Sequence, residues 1–128
     1  MNEAKIIIEQ KFPSSTLNKE INDYIAAYKK TGEQLAWDYA RYAFPYEICE
    51  NEGDLIQFSG LHPKYHGFFI QYKEKEITVE LYPTSTYGDK SKANELAKYI
   101  ALKNNGILIM FNGRQMSYAE KKKKKKAL

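Results

Sequence analysis

Cysteine occurs once, at Cys49, so the chain forms no internal disulfide and suits a reducing compartment; a cytoplasmic location is the expectation. Long apolar runs are missing too. Runs such as Ile6–Ile8 and Ile107–Phe111 fall far short of the roughly 18 residues that a bilayer crossing needs, and no basic start leads into an apolar, signal-type stretch. A membrane is therefore not expected among the partners. The seven glycines are scattered singly, which excludes both a GxxxxGK[ST] phosphate loop and a GxGxxG turn. Histidine is scarce, with His62 and His66 alone, so there is little to build a metal site from.

What is present describes a small folding unit. The 128 residues are 43% hydrophobic and 28% charged, which fits one globular domain over residues 1–118. The formal net charge is +4, but Lys121, Lys122, Lys123, Lys124, Lys125 and Lys126 carry the excess. Without them, residues 1–120 hold 14 basic and 16 acidic groups, a net of −2. Six adjacent like charges repel one another, so residues 119–128 are expected to form a disordered basic tail. Such a tail either solubilises the chain or meets phosphates, and phosphate contacts carry no base specificity.

Along the chain, the β-branched run within Ala4–Phe12 predicts a strand, ended by Pro13. Leu17, Ile21, Tyr24, Ile25 and Tyr28 share one stripe of a helix predicted over 16–30. Thr31-Gly32-Glu33-Gln34 reads as a stop and a capped restart, so a second, aromatic helix is expected up to Pro45. Glu47–Asp54 reads as an acidic connection. Strands follow at Leu55–Ser59, Phe68–Tyr72 and Ile77–Tyr82, the last with strict alternation. Asp89 or Ser91 can cap a helix over Lys92–Asn104 whose inward stripe is Ala93, Leu96, Ala97, Ile100 and Ala101. Asn105-Gly106 stops it, and Ile107–Phe111 reads as a buried strand. The expectation is an α+β fold, a mainly antiparallel sheet packed by about three helices, in the order β-α-α-β-β-β-α-β.

Reactive constellations are weak. His62 and His66 have helical metal-ligand spacing, but Pro63 and Gly67 place them in a loop. Cys49 is surrounded by Glu47, Glu50, Glu52 and Asp54, whose negative charge raises a thiol pKa and works against a nucleophile. Those carboxylates lack the glycine turn and distal glutamate of a calcium loop. No catalytic residue, metal or cofactor is assigned, and the expectation is a protein that is not an enzyme.

Aromatics are plentiful: eleven tyrosines, six phenylalanines and one tryptophan. Tyrosine, tryptophan and arginine are the residue types that most often anchor partners. Trp37, Arg41, Tyr42, Tyr46 and Tyr65 are therefore the candidate contact residues of a small protein-binding module of inhibitor, adaptor or immunity type.

A second reading comes from a resemblance. Asp38-Tyr39-Ala40, then Gly60, His62 and Phe69, then Lys90-Ser91-Lys92-Ala93 with Ala97, Ala101 and Leu102, resemble the double-stranded-RNA-binding domain across residues 34–104. Two positions of that family's lysine cluster hold Ser91 and Asn94 here. The resemblance implies an α-β-β-β-α core in which Lys90, Lys92 and Lys98 meet phosphates near a helix N-terminus and His62 enters a minor groove. On that alternative the partner is RNA or DNA, with Lys121–Lys126 adding affinity.

Overall fold

The computed structural model describes residues 2–9, 13–35, 44–52, 54–61, 63–73 and 75–118. Strand β1 (Glu3–Ile7) buries Ala4 and Ile6 and turns Glu3, Lys5 and Ile7 to the other face, the two-residue period of a half-covered strand. Helix α1 (Ser14–Leu35) begins where the Pro13 carbonyl accepts the N–H groups of Thr16 and Leu17, at 3.1 and 3.4 Å. Its buried stripe is Leu17, Ile21 and Tyr24, with Ile25 packed beside it.

The stop expected at Thr31-Gly32 does not occur, because α1 runs through both residues. A mid-helix glycine costs only about 1 kcal/mol relative to alanine, and a helix already held by its apolar stripe carries that cost. The rest of the expected second helix, 36–43, lies outside the described residues. Those residues hold two helices, not three.

Residues 47–52, expected as a connection, form strand β2 (Tyr46–Glu52), with a bulge between Ile48 and Glu50. The glutamates misled because they lie on the strand that ends the sheet among the described residues, where acidic residues are tolerated, and Glu47 there is exposed. Strands β3 (Leu55–Gly60), β4 (Gly67–Lys73) and β5 (Glu76–Leu81) follow as antiparallel neighbours. Four strands thus separate the two helices, where three were expected. Lys73 pairs with Glu76, so the β4–β5 hairpin closes over two residues.

Helix α2 (Tyr87–Lys103) starts five residues before Lys92 and buries the expected stripe, Ala93, Leu96, Ala97, Ile100 and Ala101. After α2 come β6 (Ile107–Ile109) and β7 (Gln115–Ser117), the second of which was not anticipated because three residues carry too little pattern.

The architecture is α+β: one seven-stranded antiparallel sheet in the order β2-β3-β4-β5-β1-β6-β7. Both helices are crossovers. Helix α1 carries the chain from β1 to β2, four strands to one side, and α2 carries it from β5 to β6, two strands to the other. Since β1 and β5 run in opposite directions, right-handed crossovers in opposite senses place both helices on the same face. There they cover Ala4, Ile6, Ile56, Phe58, Phe68, Ile70, Ile77, Val79 and Leu108.

On the open face Glu3 stands directly opposite Glu80. Partial burial, then the Glu3 charge facing it, push the Glu80 carboxyl above the usual glutamate range. A folded-state pKa above the unfolded value favours folding at low pH, and that contribution is lost as pH rises through the folded pKa. Glu80→Gln is therefore expected to stabilise the fold at pH 7 by about 0.5 kcal/mol, the scale of a like-charged cross-strand pair. Urea unfolding repeated on acidification through the carboxylate range should show the gain fading; a gain that grows as pH falls contradicts this account.

Candidate functional site

The start of α2, Thr86-x-x-Asp89, has the spacing of a capping box. Thr86 is the N-cap in extended conformation (φ −88°, ψ 172°), and its hydroxyl accepts the Asp89 N–H at 3.1 Å. Asp89 Oδ2 accepts the Thr86 N–H in return, at 2.7 Å. Asp89 was expected as a possible cap itself; it sits three positions inside, and Ser91 lies further in.

The position inside the helix gives Asp89 a larger role. Its side chain is fully buried, and Oδ2 also accepts the backbone N–H groups of His66 at 2.9 Å and Gly67 at 3.2 Å. Oδ1 takes the Tyr46 hydroxyl at 2.5 Å. One carboxylate thus joins α2 to β2 and to the start of β4. Burial alone would raise its pKa, but the Tyr46 hydroxyl and the N–H groups of Thr86, His66 and Gly67 outweigh burial and hold it below the usual aspartate range. Burial and the adjoining carboxylate push the Tyr46 phenol far upward, so it remains a proton donor.

The same end of the sheet is tied by neighbouring groups. Ser85 Oγ accepts the Tyr82 N–H at 2.8 Å and donates to the Gly67 carbonyl at 2.6 Å. The Thr86 hydroxyl donates to the Lys64 carbonyl at 2.8 Å, and the Gly60 N–H to the His66 carbonyl at 2.8 Å. Gly67 has φ +146°, and a Cβ there would run into the Phe58 carbonyl, so only glycine fits where its N–H reaches Asp89. Tyr65 lies edge-on to Tyr46, 5.7 Å between centroids, with its ring against Gly88.

On this fixed frame two apolar side chains stand in solvent. Tyr87, the first residue of α2, is 88% exposed, and Leu61, just after β3, is 63% exposed. At this end of the sheet, on the face away from the helices, Tyr82 is half-buried, packed on Phe69 at 5.1 Å and on the exposed His66 at 5.9 Å. Leu61, Tyr82 and Tyr87 had not been singled out. The capping-box spacing was a readable signal for the frame, but single exposed residues leave no periodic trace.

Of the residues expected to contact a protein, Tyr46 is instead buried in the core, because its hydroxyl is the partner of Asp89. Tyr65 is half-buried at the rim of the frame. Trp37, Arg41 and Tyr42 lie outside the described residues. Of the alternative set, Lys90 extends over the Phe111 ring at 6.0 Å, Lys92 is half-buried, and Lys98 is exposed two turns further along α2. His62 and Lys121–Lys126 lie outside the described residues. Among those described, no three His, Cys, Asp or Glu side chains gather as a metal site would need.

The model of a family described as a domain of unknown function, DUF1885, matches residues 6–120, and the chain belongs to that family. The chain is also similar to a solved structure, described as a crystal structure of a protein of unknown function from Bacillus stearothermophilus, with 34% identity and a TM-score of 0.58. That match covers 85% of this chain and 90% of the other. No curated protein matches the chain.

Asp89→Ala strips the partner from three N–H groups and the buried Tyr46 hydroxyl, and is expected to cost at least about 3 kcal/mol, read by urea or thermal unfolding. Tyr46→Phe removes one charge-assisted bond and should cost about 1.5–3 kcal/mol. A depressed carboxylate pKa stabilises above the unfolded value and loses that contribution as pH falls through the folded one. The difference in stability between wild type and Asp89→Asn should therefore narrow on acidification below the ordinary aspartate range. A constant difference there would contradict the role given to the carboxylate.

Proposed function

We propose that the chain is a small non-enzymatic protein-binding module whose contact surface is the Asp89-anchored end of the sheet, with Tyr87 and Leu61 as anchors and Tyr65, His66 and Tyr82 around them. The observation that carries this reading is that the two most exposed large apolar side chains among the described residues stand at an end of the sheet whose backbone is held by several side-chain hydrogen bonds. Displaying a tyrosine at 88% exposure forgoes its burial, which is worth about 1.5–3 kcal/mol for a large apolar side chain. A rigid display offsets that loss on binding, because a preorganised surface has less conformational entropy left to lose.

The same geometry weighs against the nucleic-acid alternative at this end. A helix N-terminus attracts phosphate through its free N–H groups and its dipole. At α2 the Asp89 carboxylate already places a negative charge at the helix start, and the Asp89 N–H is taken by the Thr86 hydroxyl. Lys90 is drawn to Phe111 and not held beside an open anion site.

The test is affinity capture from native lysate, nuclease-treated, with wild type, Tyr87→Ser, Leu61→Ser and, as a surface control, Glu3→Gln. One partner protein is expected with wild type and Glu3→Gln, and is expected to be lost, by about tenfold or more in affinity, with either anchor variant. Capture that disappears on nuclease treatment, or that both anchor variants retain, refutes the proposal.

A further inference from the structure

The sequence holds two Asn-Gly steps, Asn105-Gly106 and Asn112-Gly113, and the fold treats them differently. An asparagine followed by glycine is open to attack from its own backbone: the glycine nitrogen can add to the side-chain amide carbon, and no Cβ on the glycine hinders the approach. The fold decides whether that nitrogen can be reached.

At Asn105-Gly106 it is locked away. Asn105 takes the left-handed conformation (φ 54°) just past α2, and the Gly106 N–H donates to the Ala101 carbonyl at 2.9 Å. Gly106 is buried, its carbonyl accepts the Tyr118 N–H at 3.1 Å, and a Cβ there would stand 3.0 Å from the Ile7 carbonyl oxygen. Freeing this nitrogen means undoing the end of α2 together with the seat of β6 against β1.

Asn112-Gly113 lies in the turn between β6 and β7. The Met110 N–H donates to the Arg114 carbonyl at 2.8 Å and the Gly113 N–H to the Met110 carbonyl at 2.9 Å, closing a three-residue loop whose last residue, Gly113, has φ +86°. Asn112, Gly113 and Arg114 are all exposed. Among the described residues, no atom beyond the chain neighbours comes within 4 Å of where a Gly113 Cβ would stand. A single backbone hydrogen bond in a solvated turn holds this nitrogen, and such turns open at far lower free energy than a helix end packed on a sheet. The carbonyl is prepared as well. Asn112 Oδ1 accepts the Arg114 N–H at 3.0 Å, which places a donor on the oxygen that gathers negative charge when nitrogen adds to the carbon.

We infer that Asn112 is a site of spontaneous, backbone-assisted deamidation in the folded protein, and that Asn105 is protected from it. The Gly113 nitrogen gives its proton to solvent and bonds to Asn112 Cγ; the Cγ–Nδ2 bond breaks, and the amide nitrogen takes a proton from solvent and leaves as ammonia. Water is the co-reactant that opens the resulting cyclic imide. Cleavage of the new Cγ–N bond leaves aspartate. Cleavage of the original peptide bond leaves isoaspartate, with the main chain rerouted through Cγ and one atom longer. Aspartate still accepts the Arg114 N–H, so the turn survives with one added negative charge. Isoaspartate lengthens the loop and breaks the Met110–Arg114 closure.

The test is incubation of the full, folded chain in neutral buffer, sampled over weeks, with peptide mapping by mass spectrometry that separates asparagine, aspartate and isoaspartate at each site. Conversion at Asn112, to both products, is expected to be at least about tenfold faster than at Asn105, and in unfolding urea the two sites should converge. Tyr46→Phe, which weakens the fold as a whole, should speed conversion at Asn105 and leave Asn112 unchanged. Asn112→Gln should abolish the fast conversion. Asn105 converting as fast as Asn112 in the folded chain, or Asn112 converting in urea alone, overturns the inference. So does a Tyr46→Phe chain in which both sites speed up together, since Asn112 would then react only from the unfolded state.

Discussion

The fold depends on how one carboxylate is satisfied. A buried ionised aspartate is costly unless its oxygens are fully hydrogen-bonded, and Asp89 meets that condition with donors drawn from three separate elements. Two of the donors, the Gly67 N–H and the Tyr46 hydroxyl, are groups that burial would otherwise leave unpaired; the His66 N–H just before β4 and the Thr86 N–H at the head of α2 are part-buried. The arrangement is reciprocal, so removing any member strands others. The register of β4, the starting point of α2 and the position of the edge strand β2 are fixed together.

That constraint explains why the loop between β3 and β4 is held although it has no regular structure. Its backbone is tied at Lys64, His66 and Gly67, with Tyr65 wedged against Gly88 and Tyr46. Loops are ordinarily the mobile part of a domain and the part that carries function. Here part of the proposed contact surface, Leu61, Tyr65 and His66, lies on a loop whose backbone is held in this way, an arrangement suited to recognition by shape rather than by closure around a ligand.

The inward stripes were legible because burial imposes a period. Leu17, Ile21 and Tyr24 in α1, and Ala93 through Ala101 in α2, repeat at helical spacing, and Ile77 and Val79 alternate as strand residues must. What the pattern missed has physical causes of two kinds. Local breakers were over-read: Gly32 weakens a helix but does not stop one that tertiary packing holds, and the acids of β2 are tolerated at a sheet edge. Long-range pairings were invisible: nothing near Tyr46 reveals that its hydroxyl belongs to a residue 43 positions away. A tyrosine with a distant buried acceptor and one standing in solvent look alike in sequence, which is why Tyr46 was placed on the surface and Tyr87 passed over.

One helix spans the covered face of the sheet. Tyr87 and Leu102 stand fifteen residues apart on α2, about 22 Å along its axis. At the N-terminal end the helix dipole is answered internally by Asp89, so that end presents apolar area without an unsatisfied field. At the other end Lys103 sits in the last turn, over the Tyr99 ring. Positive charge there complements the negative end of the helix dipole. The two ends thus differ in how the dipole is answered: by a buried carboxylate at the first and by an exposed ammonium at the second. A single α-helix laid across β1, β4, β5 and β6 holds these two ends at a set distance.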